Sequence, residues 1–127
     1  MPYEISFTKS VAVVDENIYI NQCCRGGDVV RDRLLPIVER EFENVLTGQE
    51  DWGWFIWFHM GPVRLAIDIF TDNADRGAFR IRLTSSHRRL LIFTAVVDTP
   101  ELDGIKNMVM SDLIEWNAYP NSERVQQ

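Results

Sequence analysis

The chain opens on an alternation of apolar and polar residues. In Tyr3–Thr8, Tyr3, Ile5 and Phe7 fall on one side and Glu4, Ser6 and Thr8 on the other. That period of two predicts a half-buried strand. Val11–Val14 and Ile18–Ile20 are further apolar runs, separated by Asp15-Glu16-Asn17. They predict a hairpin with a polar turn, with a helix over part of 11–24 as the alternative.

The period then changes. Val30, Leu34, Ile37, Val38, Phe42, Val45 and Leu46 recur at helical spacing, with charged residues between them. An amphipathic helix is expected, opened by Asp28 as N-cap behind Gly26-Gly27 and ending near Gly48. Pro36 lies inside it and should kink or split it, because proline lacks the N–H and crowds the preceding turn.

Four strands are expected next, at Trp52–Met60, Val63–Thr71, Gly77–Thr84 and Arg89–Val97. Gly61-Pro62, residues 72–76 and Ser85-Ser86-His87-Arg88 break the run. Such short polar breaks imply antiparallel neighbours in a meander. A second helix follows, with Thr99 as N-cap, Pro100 in the first turn and Leu102, Ile105, Val109, Leu113 and Trp116 as its buried stripe. The fold class is therefore α+β: a four-stranded antiparallel meander, plus N-terminal strands, packed on one face by two amphipathic helices. One domain is expected over 1–117, with 118–127 as a polar tail.

Polarity sets an expected register. Met60 opposite Val63 puts His59 opposite Arg64, Trp57 opposite Ala66 and Phe55 opposite Asp68. A five-residue loop after Thr71 puts Asp68 opposite Arg80 and Ala66 opposite Arg82. The result is one apolar face, including Trp54, Ile56, Phe58, Leu65, Ile67, Ile69, Phe79, Ile81 and Leu83. The other face is mixed, with Phe55, Trp57, His59, Arg64, Asp68, Phe70, Arg80, Arg82 and Thr84.

The mixed face supplies the candidate binding residues: Trp57, His59, Arg64, Asp68, Arg80 and Arg82. Arginines present paired N–H donors to carboxylates or phosphates. An indole offers a stacking surface for cations, and an imidazole titrates near neutrality. Three readings follow. The face can be a solvated surface of cross-strand Asp–Arg pairs. It can be a protein contact, since Trp, Phe and Arg are enriched where proteins meet. It can be a site for a small anionic ligand, with arginine clamps and His59 as acid or base. His87 with Arg88 and Arg89 would make a basic turn.

Composition narrows the choice. The chain has 127 residues, 46% hydrophobic and 25% charged, with net charge −6. That length buries a core without metals or disulfides. The acidity makes nucleic acid an unlikely partner, because such binding rests on neutralising phosphates. No apolar stretch is long enough to cross a bilayer as a helix, and a cytoplasmic protein with no membrane partner is expected. Cys23 and Cys24 are adjacent, which suits neither a disulfide nor a zinc site. No phosphate loop, dinucleotide fingerprint, nucleophile elbow or metal-spaced cluster is present, so no cofactor, metal or catalytic residue is assigned. The expectation is a small interaction domain of adaptor, chaperone-like or inhibitor-like kind, probing another protein or forming a homodimer. The alternative is a binder of, or enzyme on, a small anionic ligand.

Overall fold

The structure is a computed structural model that describes residues 3–13, 15–89, 93–96, 100–113 and 119–122. Its elements are β1 (Tyr3–Thr8), α1 (Gly27–Glu41), β2 (Glu43–Glu50), β3 (Gly53–Met60), β4 (Val63–Asn73), β5 (Ala78–Arg89), β6 (Phe93–Val96), α2 (Pro100–Asp112) and β7 (Tyr119–Ser122). The strands form one antiparallel sheet in the order β2-β3-β4-β5-β1-β7. The remaining strand, β6, lies off this path and pairs with β5. The fold is the α+β arrangement of an antiparallel meander with two helices packed on it.

The helices cover the apolar face. Val30, Leu34 and Val38 of α1 are buried with Ile56, Phe58, Leu65 and Ile67; Leu102, Ile105 and Val109 of α2 join the same core, as does Leu113 just after it. Packing places α1 against β3 and β4 and α2 against β5. Arg33 ties the helices together, donating from Nη2 to the carbonyl of Asp112 at 2.9 Å. A cation there suits the negative end of α2. Thr99 and Trp116, expected as N-cap and end of the stripe, lie outside the described residues.

Several expectations are corrected. The described residues among 11–20 form no hairpin. They run irregularly into a 3-10 turn at Glu16–Ile18, followed by a second at Gln22–Cys24. Asp15 accepts from the N–H of Asn17 at 2.9 Å and Asn21 from that of Cys23 at 2.8 Å. Short polar side chains that bond the backbone two residues on compete with strand pairing. The N-cap of α1 is Gly26, at φ 84°, and not Asp28. The Asp28 carboxylate instead accepts from the Tyr19 hydroxyl at 2.7 Å. Helix α1 is not split at Pro36. Pro36 is exposed, so the carbonyl that loses its partner lies on the solvent side.

The helix also stops seven residues before Gly48, at Glu41. Phe42 turns into extended backbone and packs its ring on Phe58, with centroids 4.7 Å apart. Residues 43–50 then pair with β3. Asn44, at φ 55°, sits within a register shift where β2 begins. Long-range pairing has overridden a local helical pattern.

The β3–β4 register is the expected one, from Met60↔Val63 through Phe55↔Asp68. The β4–β5 register differs by two residues: Asp68 faces Arg82, and Phe70 faces Arg80. Strand β4 runs on to Asn73, and a bulge precedes a tight turn over residues 74–77. Gly77 closes that turn at φ 65°, where a Cβ would lie 2.2 Å from the Lys9 carbonyl oxygen. Because a shift of two preserves side-chain alternation, both faces keep their residues. Ser85-Ser86-His87-Arg88 is no turn; β5 continues through it to Arg89. Part of the stretch read as a tail forms β7, which pairs with β1.

Candidate functional site

The mixed face is assembled from β1 to β5. Its centre is Trp57 on β3. Ala66 stands directly opposite on β4. Within β4, Arg64 and Asp68 lie two residues either side of Ala66. The small side chain leaves room for the indole between them. Trp57 Nε1 donates to Asp68 Oδ1 at 3.0 Å, and the Arg64 guanidinium lies 4.5 Å from the ring centroid. Such a stacked cation is held by the ring quadrupole.

Phe55 stacks on the other side of this group. Its ring centroid is 4.0 Å from that of Trp57, with 26° between planes. Phe55 is itself buried. It faces Gly48 of β2, where a Cβ would meet the ring at 3.1 Å. The aromatic ring thus covers backbone that a glycine leaves bare. Gly48 and Ala66 are the small residues that let two large rings lie flat.

Further along the face, Arg80 lies 4.5 Å from the Phe70 ring centroid. It also sits 3.4 Å from Glu4 on β1 and 3.4 Å from Asp72. Trp52 packs on Phe70 at 5.2 Å. Arg82 stands between Asp68 and Glu4 in the register of its two neighbours. Its Nε is buried without a hydrogen-bond partner among the described residues. Burial pushes the Asp68 carboxyl above the usual carboxylate range, against the opposing pull of the Trp57 hydrogen bond and of Arg82 and Arg64.

The six residues singled out in the sequence all lie on this face, but they do not converge. Arg80 belongs to a cluster with Phe70, Glu4 and Asp72. Trp57, Arg64 and Asp68 form a second group, which Arg82 adjoins. His59 is exposed, opposite Arg64 and Glu43. Asp68 is bonded to Trp57 rather than to His59, so no carboxylate–imidazole dyad forms here.

A bowl of about 370 Å³ opens beside the Trp57 group, lined by Asn44, Leu46, Trp57, His59 and Arg64. Leu46 and Asn44 come from β2, and a helical reading of that segment hides them. Their signal was the alternation of Val45, Thr47 and Gln49 and the placing of Gly48 across from an aromatic strand. Among the described residues, no group of three or more His, Cys, Asp or Glu side chains is placed to hold a metal. No described helix is long and apolar enough to cross a membrane.

The two thiols lie away from this face and are free. Cys24 is buried, its Sγ donating to the Glu50 carbonyl at 3.0 Å, and burial pushes its thiol up. Such a thiol packs and does not react. Comparison of the chain with protein-family models, curated proteins and solved structures finds no match.

Proposed function

We propose that this domain acts by contact, as a non-catalytic interaction module that docks another protein across its mixed sheet face. The observation that carries the reading is the pre-stacked Phe55–Trp57–Arg64 group. Aromatic and arginine side chains held rigid before binding lose little entropy on contact, and these residue types dominate binding energy at interfaces. The bond of Asp68 to Trp57 rather than to His59 supports a contact role over an acid–base one. A cytoplasmic setting belongs to the same proposal, supported by two free thiols.

A photo-crosslinking residue placed at Thr84 or Ser86, on the mixed face, tests the proposal in cells that make the protein. Glu39 and Arg40, exposed on α1, are the controls. A discrete adduct from the mixed face alone is expected, reproduced with the purified partner. An adduct of twice the chain mass would identify the partner as a second copy. Equal adducts from both sides, or none from the mixed face, would overturn the proposal.

A further inference from the structure

We infer that the bowl beside Trp57 receives a glutamate side chain from an extended segment of the partner protein, an inference that rests on the interaction reading above. The first ground is charge. Arg25, Arg31, Arg33, Arg40 and Arg80 each lie within 4.0 Å of a carboxylate. Arg64 enters no hydrogen bond or ion pair among the described residues, although its guanidinium is already held flat over Trp57. The bowl's other polar residues are His59 and Asn44, and none of its lining residues is a carboxylate. A pre-oriented cation thus touches no carboxylate directly, Asp68 acting on it only across space, in a chain of net charge −6.

The second ground is shape and polarity. Leu46, 57% exposed, and Trp57 give the bowl apolar walls for a methylene stem. A planar carboxylate matches the guanidinium fork in a bidentate contact. A phosphate would call for more cationic donors than one arginine and an imidazole, and it would leave the apolar walls without a partner. Glutamate presents both the stem and the carboxylate.

The third ground is the position of the bowl. It adjoins β2, the end strand of the described order, and an end strand is the place where an extended segment can add to a sheet. A second copy of β2 is a poor fit there. In a centred antiparallel pairing, Glu43 of one copy would face Glu50 of the other at both ends, and like charges placed opposite are destabilising. The occupant is therefore a different chain.

The probe is N-acetyl-glutamate N-methylamide, titrated into the full chain and read by the Trp57 indole N–H and the His59 ring signals in NMR spectra. Saturating shifts in the millimolar range are expected, as suits so small a ligand. The glutamine analogue should bind about tenfold more weakly, having lost the charged half of the contact. Arg64→Gln should abolish that difference. Leu46→Glu, which sets a carboxylate at the rim, should block the glutamate probe whether or not Arg64→Gln folds. Equal binding of the two probes, or glutamate binding that survives both variants, would overturn the inference. Crosslinking from Thr84 and Ser86 would then still decide the wider reading by itself.

Discussion

Trp57 and Asp68 are joined diagonally across β3 and β4, indole N–H to carboxylate oxygen at 3.0 Å. The bond ties a half-buried charge to the ring on which Arg64 rests. It sets both the electrostatics of the mixed face and the orientation of its largest side chain. Removing the donor while keeping an aromatic ring separates these roles. Trp57→Phe should cost about 1–3 kcal/mol at neutral pH, because a desolvated carboxylate is left without its hydrogen bond. Carbon-detected NMR titration should show Asp68 protonating at higher pH in the variant than in the parent. An unmoved midpoint would show that the indole does not hold the charge.

Asp68 also carries a pH signature. Its carboxyl is raised by burial above the ordinary value of 3.8. The folded chain therefore binds more protons than the unfolded chain between that value and the raised one. This contribution to stability is full below the unfolded value and is lost as pH rises through the folded value. Asp68→Asn keeps an oxygen acceptor for Trp57 and lacks the titration. Urea unfolding across the acid range should show the parent losing stability relative to the variant as pH rises. A difference that stays flat or grows with pH would contradict the assignment.

Tyr19 gives a second signature at alkaline pH. Burial, then the hydrogen bond and charge of Asp28, raise its hydroxyl to about 12 from the ordinary 10.0. Ionisation is deferred in the folded chain, so stability falls as pH rises from the lower value toward the higher. Ultraviolet difference spectra should show a late tyrosine titration near pH 12. Tyr19→Phe should remove that step.

Gln49 pins the segment that precedes α1. Its Oε1 accepts from the N–H of Ile20 at 2.8 Å, and its Nε2 donates to the carbonyl of Ile18 at 2.9 Å. Both bonds are exposed, so Gln49→Ala should cost only about 1 kcal/mol. Hydrogen exchange should speed up at Ile20 and leave β3 and β4 protected. Uniform acceleration across the sheet would instead mean that the segment belongs to the global unfolding unit.

Gly77 makes a tight demand on backbone. Its φ of 65° and the nearby Lys9 carbonyl exclude a side chain without displacement of β1. Gly77→Ala should cost about 2 kcal/mol or more in chemical denaturation, combining left-handed strain with a backbone clash. A variant as stable as the parent would mean that the turn can relax.

The sequence made some of this legible and concealed the rest for physical reasons. Alternation in residues 54–60 and 63–70 fixed two faces, and the short Gly61-Pro62 break fixed their register. The β4–β5 register slipped because a bulge near Thr71 leaves no mark in polarity. Residues 43–48 carry a helical signal because Val45 and Leu46 happen to continue the spacing of α1. Their pairing with β3 is a long-range fact. That signal removed Leu46, Asn44 and Gly48 from the candidate site, though the arginines and Trp57 were in view. The ion pairing of Arg80, and its absence at Arg64, depended on where Glu4 and Asp72 arrive in space.

Strand β5 has one further consequence. Along one edge it holds β1 from Ala78 to Leu83, and then β6 from Ser86 to Arg89. Tyr3 finds its place opposite Leu83 only after α1, β2, β3 and β4 have been made. During synthesis β1 must therefore wait, unpaired with β5 and carrying Tyr3, Ile5 and Phe7, until that later strand leaves the ribosome. A chain truncated before β5 would keep that segment exposed, so its aggregation during translation should depend on whether synthesis passes Leu83.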